Sequence, residues 1–318
     1  MQLARLLVAI CVATSGCLGR SNLTTRPAPF PQFRSYDAVP SWSPGGQYVA
    51  YLHEPRDASD EERIAIVDSS GSASTSVVAI QPAVSPQLTW SPDGTQIAYW
   101  DGGICTVTLA THVTRRWTGP FVVDPAWSPD SRFLSFLITT RVSSAPDSTG
   151  GIHILDTQTG DERALTYADT LTAFGDYPVW SPDGSRIAFM SEMSGSGGNI
   201  CIIGVGGGPL RQLTHLSGYC ADLQWSTDGQ TIYFHFTPSP SAFGDPATTS
   251  SWVVHADGSG LRQLPFDLGD RRVHFWFQFS LSHPGDRVAY TGMDSTGRGG
   301  VIWTMDSDGR NRRQLTSP

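Results

Sequence analysis

The chain contains no lysine; all 21 of its basic residues are arginine. It is also short of glutamate, with 5 residues against 24 aspartates. Glutamate suits helix interiors and aspartate suits turns, so this imbalance excludes a mainly helical protein. No helical period is evident after residue 20. The formal net charge of −8 excludes nucleic acid as a partner, because phosphate backbones demand a basic surface. An all-arginine basic set could reflect selection for bidentate contacts. A composition bias toward arginine is the simpler reading, and no function is assigned to it.

Chemical signatures are missing as well. There is no Cys-x-x-Cys, no His-Glu-x-x-His and no calcium-binding loop, so neither a metal nor a cofactor is expected. No Gly-x-Ser-x-Gly elbow occurs; the nearest string, Ser194-Gly195-Ser196-Gly197-Gly198, has the wrong spacing and reads as a hairpin loop. The glycines of Gly204 to Gly208 join two strands rather than a strand and a helix, which excludes a phosphate loop. No catalytic motif emerges, and the chain is read as a non-enzyme.

What is present is a repeat. Close copies of Trp-Ser-Pro-Asp-Gly followed by an alternating apolar stretch begin at Trp42, Trp90, Trp127, Trp180 and Trp225, and Leu281 takes the tryptophan position in the last. Spacings of 48, 37, 53, 45 and 56 residues fit one four-stranded unit per copy. The expected fold is therefore an all-β, six-bladed β-propeller of four-stranded antiparallel blades over residues 37–318. In Trp180-Ser181-Pro182-Asp183-Gly184, Pro182 presets φ for a type I turn and Gly184 can take the left-handed position after it. Third strands are expected at Ile64–Val67, Ile104–Val107, Ile152–Leu155, Ile200–Ile203, Trp252–Val254 and Val301–Trp303. Fourth strands are expected in the phrases Arg163–Thr166, Arg211–Thr214, Arg262–Leu264 and Arg313–Thr316. The tryptophans read as wedges between blades, since one indole buries a large area.

The amino terminus reads as an export signal. Arg5 precedes the apolar run Leu6 to Ala13, and residues 1–16 form a signal peptide too short to span a membrane. Thr14-Ser15-Gly16-Cys17 resembles a bacterial lipid-attachment site, with Thr14 where leucine is usual, and would make Cys17 the lipidated first residue of the mature chain; simple secretion is the alternative. Residues 17–36, rich in Pro, Thr and Ser, form a tether. The membrane is then reached only through the anchor. Of the cysteines left beyond Cys17, Cys201 and Cys220 are the better candidate disulfide, with buried free thiols as the alternative.

The phrases Trp-Ser-Pro-Asp-Gly-x-x-Ile-Ala-Phe/Tyr and Asp-Gly-x-x-x-Arg-Gln-Leu-Thr, alternating through residues 37 to 318, resemble the TolB-type, WD40-like propeller repeat. The resemblance implies six blades. TolB itself carries an α/β domain before its propeller; the few residues ahead of the first blade leave no room for one, so a direct part in the Tol–Pal system is not expected. Propellers of this repeat also serve prolyl-oligopeptidase-like and tricorn-type peptidases, whose hydrolase domain has no counterpart expected here.

One constellation points to a site. Aspartates recur just ahead of the inner strands at Asp37, Asp124, Asp176 and Asp222, with His274 in the same neighbourhood of blade six. Gathered at one channel mouth they would attract a cation or a basic peptide segment; alternatively they cap loops. The repeated string Ala173-Phe174-Gly175-Asp176 and Ala242-Phe243-Gly244-Asp245 falls in two long loops, where binding specificity tends to reside. The expected function is an exported, lipid-anchored scaffold that binds an envelope protein or peptide. The alternatives are a propeller hydrolase or lyase using His and Asp at the mouth, or a regulatory subunit of a separate peptidase.

Overall fold

The computed structural model describes residues 35–55, 61–80, 88–119, 122–138, 151–166, 176–191, 197–239, 250–264, 279–282, 287–294, 300–306 and 310–317. The signal segment, Cys17 and His274 lie outside these residues, as does most of the tether.

The described chain is a succession of 24 strands. Blade one comprises β1 (Ser35–Trp42), β2 (Tyr48–Pro55), β3 (Glu62–Asp68) and β4 (Ser74–Ile80). Blade two is β5 (Leu88–Trp90), β6 (Gln96–Trp100), β7 (Ile104–Thr108) and β8 (Val113–Arg116). Blade three is β9 (Val122–Trp127), β10 (Phe133–Ile138), β11 (Gly151–Asp156) and β12 (Glu162–Ala164). Blade four is β13 (Asp176–Trp180), β14 (Arg186–Ser191), β15 (Asn199–Gly204) and β16 (Arg211–Gln212). Blade five is β17 (Tyr219–Trp225), β18 (Thr231–Thr237), β19 (Ser250–His255) and β20 (Arg262–Gln263). Blade six is β21 (Phe279–Leu281), β22 (Arg287–Met293), β23 (Gly300–Asp306) and β24 (Arg313–Gln314). Within each blade, consecutive strands pair antiparallel, so the six-bladed, all-β expectation holds. The first strand begins at Ser35, ahead of the expected boundary at Asp37.

The hairpin between the first two strands of a blade is built as its sequence requires. The Ser-Pro-Asp-Gly serine hydroxyl donates to the aspartate two residues on, at 2.5–2.6 Å in blades two to five. It also accepts from the backbone N–H that opens the second strand, as in Arg186 N–H to Ser181 Oγ at 3.0 Å. The fourth turn residue has the left-handed backbone, with φ of 69° at Gly184; in blade three Ser131 holds it without glycine, at 60°.

Burial follows from the ring. Among the described residues six apolar clusters stand out, and each joins two neighbouring blades: Ile154, Leu165, Trp180 and Ile187 connect blades three and four, for example. The apolar cores of the propeller therefore lie at its seams. The tryptophans sit there as wedges, and they do more. In blades two to five the indole Nε1–H donates to a carbonyl of the preceding inner strand: Trp90 to Ser41 at 3.0 Å, Trp127 to Thr89 at 3.3 Å, Trp180 to Ala126 and Trp225 to Val179 at 3.1 Å each.

The Arg-x-Leu-Thr phrase also acquires a physical role. Its leucine is buried in a seam, and its threonine hydroxyl accepts from the N–H of the third-strand isoleucine: Ile152 to Thr166 at 2.9 Å, Ile200 to Thr214 at 3.0 Å and Ile302 to Thr316 at 2.9 Å. Its arginine reaches the next blade, donating from Arg163 to the Val205 carbonyl at 2.7 Å and from Arg211 to that of Ala256 at 3.1 Å. The last copy repeats this across the chain ends, where Arg313 donates to the Ser70 carbonyl. Blade six needs no borrowed outer strand, since β24 supplies it. The chain start still joins it, through a parallel pairing of Tyr36 with Gly300.

Cys201 and Cys220 do not form the candidate disulfide. Cys105, Cys201 and Cys220 are free and buried, and burial pushes the thiols of Cys201 and Cys220 up to about 12. The alternative of small buried hydrophobes describes them.

Candidate binding site at the channel mouth

A four-stranded meander places the start of its first strand, the end of its second, the start of its third and the end of its fourth at one end. The inner strands are the first strand of every blade, so they start at the same face of the ring. The strand ends that flank the longest sequence gaps lie at this face: Ile138 and Gly151, Ala164 and Asp176, Thr237 and Ser250, and Gln263 and Phe279. The opposite face carries the short Ser-Pro-Asp-Gly hairpins.

The inner strands are not regular where they start. Their pairing with the second strand slips in blades one, three, four and five, between Ala38 and Ser41 in β1, opposite Ser135 and Leu137 in β9, between Asp176 and Val179 in β13, and between Ala221 and Gln224 in β17. Each slip is a β-bulge that bends and twists the strand. In three of them the residue three places before the tryptophan is left-handed: Val39 at φ 56°, Asp124 at 61° and Asp222 at 53°. Aspartate tolerates this backbone because its short side chain can bond locally, whereas a β-branched valine there is under strain. Pro40 and Pro125 follow Val39 and Asp124. The spacing to the tryptophan makes this feature legible in the sequence only once the bulge is known.

The predicted aspartates all fall in this region, at different depths. Asp124 and Asp222 occupy the bulge itself. Asp176 pairs with Met190 one step earlier, and Asp37 stands opposite His53 one step earlier again. Asp37 is 1% exposed, and its Oδ1 lies 2.7 Å from His53 Nδ1. Asp222 Oδ2 lies 3.1 Å from Nδ1 of His235 on the adjoining strand β18. Asp124 is buried at the bulge of β9. No sequence motif singles out His53 or His235. The available signal was their count from the tryptophan, which places them beside the start of the inner strand.

These pairs hold polar groups at the mouth in fixed orientation, and they spread acidity over several blades. They do not build a metal centre: among the described residues no group of three or more His, Cys, Asp and Glu side chains could hold an ion. A third pair, His153 Nδ1 with Glu162 Oε1 at 2.8 Å, belongs to the outer strands of blade three.

The family model of the TolB beta propeller domain matches residues 48–318. This chain belongs to that propeller family. A curated relative, the uncharacterized peptidase YuxL of Bacillus subtilis (strain 168), is 32% identical over 112 residues, which are 35% of this chain and 16% of the relative. The crystal structure of TolB from Acinetobacter baumannii superposes with a TM-score of 0.65 at 22% identity, covering 86% of this chain and 64% of that one. An oligogalacturonate lyase from Vibrio parahaemolyticus gives 0.56 at 11% identity, over 90% and 78% of the two chains. The chain thus spans a small part of the curated relative and less than two thirds of the Acinetobacter protein. At these identities the structural likenesses establish the fold alone, and that fold is shared by proteins of different activity.

Proposed function

We propose that this protein is an exported, lipid-anchored propeller that acts as a binding scaffold in the bacterial cell envelope, and that it takes a protein or peptide segment at the channel mouth. The observation that carries the proposal is the repeated left-handed bulge at Val39, Asp124 and Asp222. Left-handed bulges that recur at one level of a rigid ring re-aim side chains there, as bulges beside binding sites do. Export and anchoring rest on the segment ending at Cys17, and mass spectrometry of the mature protein should find diacylglycerol on that residue. An unmodified amino terminus elsewhere would overturn the anchor without touching the scaffold reading.

Capture of partners from solubilised envelope by the Cys17-anchored protein tests the binding role. Gathered carboxylates favour a basic segment, and that attraction fades as salt screens it. Replacing Asp124 and Asp176 by asparagine should therefore weaken capture at low salt and leave the melting temperature nearly unchanged, since asparagine also tolerates the left-handed backbone. A sharp drop in melting temperature with capture unaltered would make them loop caps. A second reading, a regulatory propeller for a separate peptidase, is favoured by the likeness to YuxL; capture of a hydrolase would select it.

A further inference from the structure

We propose that the seam between blades six and one carries, at its channel-mouth end, a seat for a primary ammonium group of the bound segment, built from Asp37 and Thr291. This rests on the reading of the mouth as the binding face and names the group recognised there. Strand β1 crosses the face of blade six. Tyr36 pairs with Gly300 of β23 at the mouth end, and the Trp42 N–H donates to Ser280 Oγ of β21 at 3.0 Å at the other end. An apolar layer that includes Tyr51, Ala289 and Ile302 fills the space between the two blades.

Toward the mouth the facing surfaces turn polar. Side chains two apart on a strand share a face, and so do residues paired across neighbouring strands. His53 follows Tyr51 by two and so faces blade six; Asp37 joins it there, with Oδ1 2.7 Å from His53 Nδ1. From the other side, Thr291 follows Ala289 by two and pairs with Ile302, so it faces blade one. Thr291 is 6% exposed, and its Oγ1 makes no hydrogen bond. A buried hydroxyl without a partner costs free energy, and valine would fill the same space without that cost. The hydroxyl therefore serves a bound group and not the fold.

The chemistry of that group follows from the oxygens around it. Asp37 is 1% exposed, and its bond to His53 through Oδ1 leaves Oδ2 as an acceptor. An anion entering here would meet a carboxylate with little solvent between them. A metal ion would lack ligands, since among the described residues no three His, Cys, Asp or Glu side chains are assembled to hold one. A primary ammonium is compact and carries three donors, so it can bond Asp37 and Thr291 together; a guanidinium needs a wider, planar site. Arg63, opposite His53 on β3, stands two strands out from Asp37, about 10 Å across the sheet, where partial exposure screens its charge.

Titration calorimetry of the full chain at low salt tests the seat with acetyl-tetralysine amide, whose only cations are side-chain ammonium groups. The parent should bind it, and Thr291→Val should weaken binding about ten-fold, the worth of one hydrogen bond to a charged group. Valine removes an unpartnered hydroxyl, so its melting temperature should equal or exceed the parent's. Thr291→Ser keeps the hydroxyl and should bind as the parent does. Acetyl-tetraarginine amide should bind more weakly and respond little to Thr291→Val. Tetraglycine amide, with only a free amino terminus, separates that source of ammonium from lysine. Unchanged affinity of Thr291→Val for both ammonium probes would overturn the proposal, as would failure of the parent to bind either. A sharp fall in the melting temperature of Thr291→Val would do the same, by giving the hydroxyl a structural task. Equal capture of envelope partners by parent and Thr291→Val would reject the seat and leave the mouth reading intact, whereas no capture by the parent would reject that reading itself.

Discussion

Replacing Thr166 by valine isolates the role of the recurring Leu-Thr phrase. Valine keeps the shape of threonine and removes only the hydroxyl. Thr166 is 4% exposed, and its Oγ1 accepts from the Ile152 N–H at 2.9 Å. Ile152 is itself buried, so water cannot replace the lost acceptor. A buried backbone donor left without a partner costs about 1–3 kcal/mol, more than the net gain from an ordinary hydrogen bond. For a chain of this size about 2 kcal/mol should lower the melting temperature by roughly 4 °C, read by calorimetry. Thr166→Ser keeps the acceptor and loses one methyl, about 1 kcal/mol. The order of stability should therefore be threonine, then serine, then valine. A valine variant as stable as the parent, or a serine variant less stable than valine, would show that the hydroxyl is not the group that matters. Thr316→Val in blade six should behave alike, and the two losses should add within about 0.5 kcal/mol because the sites share no partner.

Ser131 combines a cost with a benefit: it is left-handed at φ 60°, yet its Oγ accepts from the Asp93 N–H of blade two at 2.9 Å. Ser131→Gly relieves roughly 1 kcal/mol of backbone strain and loses a bond of similar worth, so chemical denaturation should find it near neutral, whereas Ser131→Ala loses the bond and keeps the strain and should be about 1 kcal/mol less stable. The Asp183 carboxyl is held down at about 2 by the hydroxyl of Ser181 and by the N–H and hydroxyl of Ser185. A depressed carboxyl stabilises the fold above its ordinary value of about 4, and that contribution is lost as pH falls from about 4 through 2; Asp183→Asn should flatten the acid limb of a melting-temperature profile in that window and leave the rest parallel. With their thiols pushed up to about 12 by burial, Cys201 and Cys220 should resist iodoacetamide at neutral pH in the native protein and react fully once it is unfolded. Prompt native labelling of either would contradict the packing described.

The repeat made the architecture readable because its parts act locally. A Ser-Pro-Asp-Gly turn needs only its own backbone preferences, and alternation in the following stretch marks a half-buried strand wherever it occurs. Six copies then imply a ring, and tryptophan at a fixed place in five of them implies wedges. The bulges were hidden, since the left-handed position is valine in blade one and aspartate in blades three and five, and nothing in a local pattern marks it. The Asp37–His53 and Asp222–His235 pairs were also hidden, because a bulge shifts the count that brings side chains on two strands together.

The sequence by itself determined the blades, their number and the turn chemistry, all of which depend on residues close together in the chain. Tertiary structure decided what binds blade to blade. The indole N–H of Trp180 finds its carbonyl at Ala126, and the guanidinium of Arg163 finds Val205. It also decided that Cys201 and Cys220 stay free and that the chain ends meet in a fastened seam. Such contacts join residues tens of positions apart, and the distance between them is set by the curvature of the closed ring, which no local pattern of residues contains.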